Sequence, residues 1–254
     1  MNTMKSSFRK PPQPLVTVIC DNYTIRDDLD TCWGFACLIQ TGDQTVLFDT
    51  AGDGVVLSRN MARLGIDPAA IDLLLISHQH WDHTGGIYAL LDVNRNLRVL
   101  VPRSFSPHFK ADMQRYGAGV TEANGAREMF PGFYTTGELD GPVPEQAALV
   151  KTNAGVVVIT GCAHPGIVRI VEAAKKILPE DDIALVMGGF HLLNDSDPNI
   201  LEIISQFKSL GVRHAAASHC SGERARELFA RAYGDRFIYL GAGTEICPAN
   251  LRKV

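Results

Sequence analysis

The chain has 254 residues, 46% of them hydrophobic, enough to bury a substantial core as one domain. Charged residues make up 20% and the formal net charge is −4, so the basic excess that a broad nucleic-acid-contacting face needs is missing. No apolar stretch approaches membrane-spanning length, and the six cysteines show no close CxxC pairing, a usage that fits buried, reduced thiols in a cytoplasmic protein.

Residues 1–14 are polar, mildly basic and proline-rich, without the apolar segment of a secretory signal. They read as a flexible leader before a single domain at 15–254. Strand-like runs follow at Val16–Cys20, Gly34–Gln40 and Thr45–Asp49, the last two joined by a turn at Thr41–Gln44. Val55–Leu64 has helical periodicity and Gly65 is placed to end it. The apolar run Ile71–Ile76 predicts a strand, residues 85–91 a helix and Arg98–Pro102 another strand. Residues 105–140 are rich in Gly, Pro and aromatics with weak periodicity, and are expected to be an insertion covering a pocket. Beyond them a hairpin is expected around Asn153-Ala154-Gly155 and a helix over Pro165–Leu178, with its proline in the first turn. Ile183–Met187, His214–Ser218 and Phe237–Leu240 read as strands, Asn199–Leu210 and Glu223–Ala232 as helices.

The most informative stretch is Ser77-His78-Gln79-His80-Trp81-Asp82-His83, directly after the apolar strand. Three imidazoles and a carboxylate there are ligands suited to zinc, iron or manganese. His78 and His80 can point the same way from extended backbone, while Asp82 and His83 fall where the chain turns into a helix. One loop can thus serve two adjacent metals; a histidine-rich surface turn is the competing reading. The other histidines repeat the placement: His164 follows Val156–Thr160, His191 follows Ile183–Met187 and His219 follows Ala215–Ala217. Of eight histidines only His108 and His214 lie elsewhere. Strand ends converge on one rim of a sandwich, so these side chains are expected to meet.

The His-x-His-x-Asp-His loop resembles that of the metallo-β-lactamase superfamily. Gly161-Cys162-Ala163-His164-Pro165-Gly166, Gly188-Gly189-Phe190-His191-Leu192, Ser218-His219-Cys220-Ser221-Gly222, Glu145–Leu149 and the terminal Gly241–Ile246 resemble its branch related to the dihydropterin–ribofuranosylaminobenzene-phosphate synthase of methanopterin biosynthesis. The resemblance runs from about Val16 to Ile246. It implies an α/β fold, the αββα four-layer sandwich. It also implies two divalent metal ions, zinc first, with iron or manganese as alternatives. His78, His80 and His164 would hold one; Asp82, His83 and His219 would hold the other. Asp49 would brace the metal loop by hydrogen bonds, although a plain turn aspartate reads equally well.

One departure matters. Many members carry an aspartate bridging both metals before His191, where this chain has Met187-Gly188-Gly189-Phe190. At least one metal, the second first, is therefore expected to be held weakly, or the bridging role falls to hydroxide or a substrate oxygen. Asp82 and His191 are the catalytic candidates, His191 as a proton donor or phosphate binder, with metal ligation and plain packing as the competing roles. Ser221 and Gly222, at a predicted helix start, are a second candidate anion site, competing with an ordinary helix cap. Trp81 and Phe190 are candidates to stack on a planar ring, or simply to pack. The expected function is metal-dependent chemistry on a phosphate-bearing small molecule, by hydrolysis or by pyrophosphate-displacing transfer. The alternative is a non-enzymatic metal or ligand sensor on the same fold. A homo-oligomer is compatible with the sequence.

Overall fold

Most apolar runs of the sequence are strands buried on both faces, which is why they read as continuous rather than alternating. The computed structural model describes residues 13–251; of the expected leader, residues 1–12 lie outside the described residues. The first half comprises β1 (Leu15–Cys20), β2 (Ala36–Thr41), β3 (Gln44–Phe48), α1 (Gly54–Arg63), β4 (Leu73–Leu75), α2 (Trp81–Thr84), α3 (Ile87–Val93), β5 (Arg98–Pro102), α4 (Pro107–Arg115) and β6 (Gly119–Ala123). The second comprises β7 (Arg127–Phe130), β8 (Phe133–Thr135), β9 (Ala148–Thr152), β10 (Gly155–Thr160), α5 (Ile167–Ile177), β11 (Ile183–Gly189), α6 (Asp197–Ser209), β12 (His214–Ser218), α7 (Gly222–Tyr233) and β13 (Glu245–Ile246).

Two sheets result, of order β13-β1-β2-β3-β4-β5-β6 and β12-β11-β10-β9-β8-β7. β3 to β6 are mutually parallel, as are β10 to β12. The period of two assigns their faces. In β10, Val157 and Ile159 face the other sheet while Val156 and Val158 face the helices; in β4, Leu73 and Leu75 face inward and Leu74 outward. The inter-sheet core joins Val18, Phe35, Phe48 and Leu100 to Leu185, Met187 and Ala216. Outside the second sheet, α5 buries Ile167, Ile170, Val171 and Ala174, spaced as one helical face. α1, α3 and α4 cover the first sheet. The expected αββα sandwich is the fold found.

Local chemistry sets the element ends. Asp53 caps α1 by accepting from Val55 N and Val56 N, and Gly65 leaves it at φ +69°. The helix expected over residues 85–91 instead begins at Ile87 as α3, after the separate turn α2. An added Cβ on Gly85 would lie 2.4 Å from Gly52 O, so the glycine is a close backbone contact between the metal loop and the α1 entry.

Two expectations fail. Residues 105–140 are not a cover: they form α4, β6 at the edge of the first sheet, and β7 and β8 at the end of the second, and none lines the cleft over the rim. Edge strands have one partner and are partly exposed, so β6 and β7 lack the apolar runs of the central strands. Phe237–Leu240 makes only an isolated bridge, Ala215 to Phe237, and the last strand is β13.

Asp21, just past β1, accepts from Ser218 Oγ at 2.6 Å, tying the two sheets together near the rim, while its other oxygen is buried without a partner. Burial pushes its carboxyl up to about 6, against that hydrogen bond and the charge of His219. The metal-free fold thus retains a proton that the unfolded chain releases near pH 3.9. Its stability should fall by on the order of 3 kcal/mol as pH rises through that interval. Asp21→Asn should flatten this slope. Denaturant midpoints at about pH 4 and about pH 7 check it, and identical profiles for the two proteins would refute it.

Candidate metal centre and cleft

The parallel strands end at one rim, and each end delivers a polar side chain there. Asp49 follows β3, the loop at 77–84 follows β4, Cys162 and His164 follow β10, His191 follows β11 and His219 follows β12. Asp49, Ala51, Ala163, His191 and His219 have φ of 56°, 54°, 65°, 55° and 44°, a conformation non-glycine residues seldom adopt. All five lie at these strand ends. Strain of this kind concentrates where side chains must be aimed at a common point.

His78, His80 and His164 come together as one group with all ligand atoms within 4.8 Å of one another. His80 Nδ1 and His164 Nε2 are 3.2 Å apart. Ser77 Oγ engages His78 Nδ1 at 2.9 Å, leaving His78 Nε2 fully buried with no hydrogen-bond partner. An orphaned buried nitrogen costs about 1–3 kcal/mol. Its alignment with two further imidazole nitrogens fits a divalent metal. Burial and the neighbouring imidazoles His83, His164 and His80 hold His78 well below the usual histidine range, and burial with His191 and His80 brings His164 to about 4. Both favour the neutral form that ligates metal.

Asp82, His83 and His219 form the second group, and Cys162 belongs to it. Asp82 Oδ2 lies 3.7 Å from His83 Nε2 and 3.5 Å from His219 Nε2. Burial pulls His83 down, but the adjoining Asp49 carboxylate outweighs it and raises the imidazole to about 9. Burial likewise works against ionised Asp82, yet the His219 hydrogen bond and the His83 charge hold it below the usual carboxylate range.

Supporting residues aim these ligands. Asp49 Oδ2 sits 2.7 Å from His83 Nδ1 and accepts from Ser77 Oγ at 2.7 Å, while Oδ1 accepts from Ser77 N at 2.7 Å. Asn22 Oδ1 engages His219 Nδ1 at 3.1 Å and Asn22 Nδ2 donates to His219 O at 3.0 Å, leaving Nε2 for the centre. Glu145, fully buried, accepts from Gly161 N, Cys162 N and Ala163 N through Oε1 and from His164 N through Oε2. Burial pushes its carboxyl up to about 7 against those amides. Asn22 and Glu145 carry no motif of their own: a lone amide and a lone acid far away in sequence give no spacing to read. Glu145 stands in a segment that resembles the branch, yet nothing local marks its role.

A cleft of about 380 Å³ opens over the centre, lined in part by Trp33, His80, Asp82, His164, His191 and Cys220. The His191 ring lies 4.3 Å from that of His164, and its hydrogen bond with Cys220 raises it above the usual histidine range. Neither expected ring-stacking residue lines the cleft. Phe190 is buried against Phe207 and Phe229, and Trp81 packs over Gly52. The cleft's exposed aromatic is Trp33, edge-on to His219 at 5.6 Å. Ser221 and Gly222 do not offer the expected anion site either. The Ser221 hydroxyl accepts from Phe190 N and donates to Ser218 O, both residues are buried, and Leu193 packs against Gly222.

A carboxylate at residue 189, where the bridging aspartate is missing, has no room. An added Cβ would meet Gly161 O at 2.3 Å, Cys220 Sγ at 2.8 Å and His219 Cδ2 at 3.1 Å. Gly189→Asp is expected to cost about 1–3 kcal/mol or more and to bind less metal rather than more. Thermal melts with metal stoichiometry check this; a stable variant with tighter second-site metal would refute it.

A family model described as the metallo-beta-lactamase superfamily matches residues 32–196. A protein of Methanocaldococcus jannaschii named 7,8-dihydropterin-6-methyl-4-(β-D-ribofuranosyl)-aminobenzene-5′-phosphate synthase is 28% identical over 242 residues, covering 78% of this chain and 82% of its own. Among solved structures, a metal-dependent hydrolase of the β-lactamase superfamily superposes with a TM-score of 0.77 at 28% identity, covering 92% of this chain and 98% of that one. The metallo-β-lactamase fold protein YhfI from Bacillus subtilis superposes at 0.68 with 18% identity, covering 92% and 99%, a likeness of fold alone. With the superfamily model matched over well more than half its length, the chain belongs to the metallo-β-lactamase superfamily.

Proposed function

We propose that the chain is a metal-dependent enzyme acting on a phosphate-bearing small molecule in the cleft beside His191. The observation that carries this reading is the meeting of two ligand groups beneath a cleft that His191 also lines. His78, His80 and His164 would hold one divalent ion, and Asp82, His83 and His219 the other. Zinc suits this donor set first, then iron or manganese. Such ions supply Lewis-acid stabilisation of negative charge and activation of water. His191 would hold a proton against a departing phosphate oxygen, and Trp33 would offer its face to a planar ring. Asp49 and Asn22 keep the imidazoles of His83 and His219 aimed.

Two reactions fit. In the synthase-type transfer, an aryl carbon or amine forms a bond to a pterin methylene carbon as the bond from that carbon to pyrophosphate oxygen breaks. Pyrophosphate leaves with the electron pair, and the nucleophile's proton passes to solvent. The 28% identical M. jannaschii synthase supports this reading. In the hydrolytic alternative water attacks a phosphoester, supported by the 28% identical metal-dependent hydrolase. Against a non-enzymatic sensor stands the three-imidazole group, which would leave a bound metal a fourth position, with His80 and His164 lining the cleft. The test is turnover of protein purified without added metal, offered a pterin pyrophosphate with an aryl amine, a phosphodiester and a thioester. Phosphate-bearing substrates should react, with activity lost on chelation and restored by zinc. Turnover of the thioester alone, or insensitivity to chelation, would refute the reading.

A further inference from the structure

We infer that the Cys162 thiolate is the fourth ligand of the second metal, closing that site and leaving substrate chemistry to the first. This rests on the dinuclear reading above and deepens it. Cys162 Sγ is 3.2 Å from His83 Nε2 and 3.5 Å from His219 Nε2, and both nitrogens are 3.5 to 3.7 Å from Asp82 Oδ2. Four-coordinate zinc, with bonds of about 2.1 Å to nitrogen or oxygen and about 2.3 Å to sulfur, spaces its ligands by about 3.3 to 3.6 Å. These four of the six separations already stand near those values, and all six lie within 4.8 Å. All four residues are buried, whereas in the first group His80 is exposed and His164 partly so.

Backbone and packing hold the sulfur in place. Glu145 accepts from Cys162 N at 3.0 Å, and the neighbouring Ala163 takes the positive φ that turns the chain between Cys162 and His164. Cys162 and His164 thus leave one short loop toward different metals. Gly189 has no Cβ because Gly161 O, Cys220 Sγ and His219 occupy that volume. The anionic ligand absent from the end of β11 is replaced by one from the end of β10. Cys220 is not the sulfur concerned: its thiol donates to Cys162 O at 3.6 Å, and it is Cys162 that groups with Asp82, His83 and His219.

The consequences are a division of labour and a metal preference. A site with four protein ligands has no open position, whereas three imidazoles leave one. A thiolate favours zinc, cobalt or iron over magnesium or manganese. The second metal is then tightly held rather than weak. Its binding releases the Cys162 thiol proton to solvent.

Cobalt titration of metal-free protein tests this without substrate. Two equivalents should bind, one developing an intense thiolate-to-cobalt charge-transfer band in the near ultraviolet. The band should vanish in Cys162→Ser, with second-site affinity down more than about 100-fold, and persist in Cys220→Ser and His80→Ala. X-ray absorption of the unaltered zinc protein should show sulfur at about 2.3 Å, a readout that needs no variant. Metal bound without sulfur, or a band surviving in Cys162→Ser, overturns the inference. Two metals with the band but no turnover would sink the proposed function and leave this assignment standing, whereas no metal binding would sink both.

Discussion

Glu145→Ala is expected to be the most damaging single polar substitution away from the ligands themselves. It removes one acceptor from four backbone N–H groups, at Gly161, Cys162, Ala163 and His164. An unsatisfied buried donor costs about 1–3 kcal/mol, and water entering the vacated space offsets part of the sum. A net loss of about 3–5 kcal/mol is expected, against a typical domain stability of about 5–15 kcal/mol. Metal affinity should fall about 10–100-fold, because the loop that aims Cys162 and His164 is no longer held. Glu145→Gln keeps one carbonyl acceptor and should recover part of both. Denaturant unfolding and chelator competition measure the two effects separately; an alanine variant that unfolds and binds metal like the parent would show that the four amides find other partners.

His191→Ala is expected to slow turnover by about 10²–10⁴-fold while leaving the metal content nearly unchanged. His191 lines the cleft, its ring lies 4.3 Å from that of His164, and the hydrogen bond with Cys220 favours its protonated form. A group held this way can donate a proton to a leaving oxygen or bind phosphate. Inorganic phosphate should compete with substrate in the parent and less well in the variant. His191 also stands within ligand distance of Cys162 and His164. Loss of one metal equivalent in His191→Ala would make it a ligand and overturn the catalytic assignment.

The histidine placements were legible because chemistry was written at strand ends. An apolar run followed by His78-x-His80 or Cys162-x-His164 announces both the strand and the ligand. The four-layer architecture was legible for a related reason: strands buried on both faces, such as β10 and β11, keep long apolar runs, and α5 keeps its Ile167-Ile170-Val171-Ala174 face. Edge strands β6 and β7 were not legible, since half their surface meets no core.

Residue types and their order in the chain thus determined most strands and helices and the gathering of histidines at strand ends, because each follows from local periodicity and from the covalent neighbours of a strand end; the four-layer sandwich and the division into two metal groups were implied by the family resemblance. Tertiary structure alone decided which polar atoms are left without partners. Nothing in the sequence shows that His78 Nε2 is orphaned, that the Ser221 hydroxyl is engaged by Phe190 N and Ser218 O, or that Gly189 has no room for a side chain. Nor does it show that Cys162 meets His83 and His219 across separations of 79 and 57 residues. The physical reason is common to all of these. Burial and hydrogen-bond satisfaction depend on which distant backbone arrives at a given point, and that is settled only when the two sheets pack.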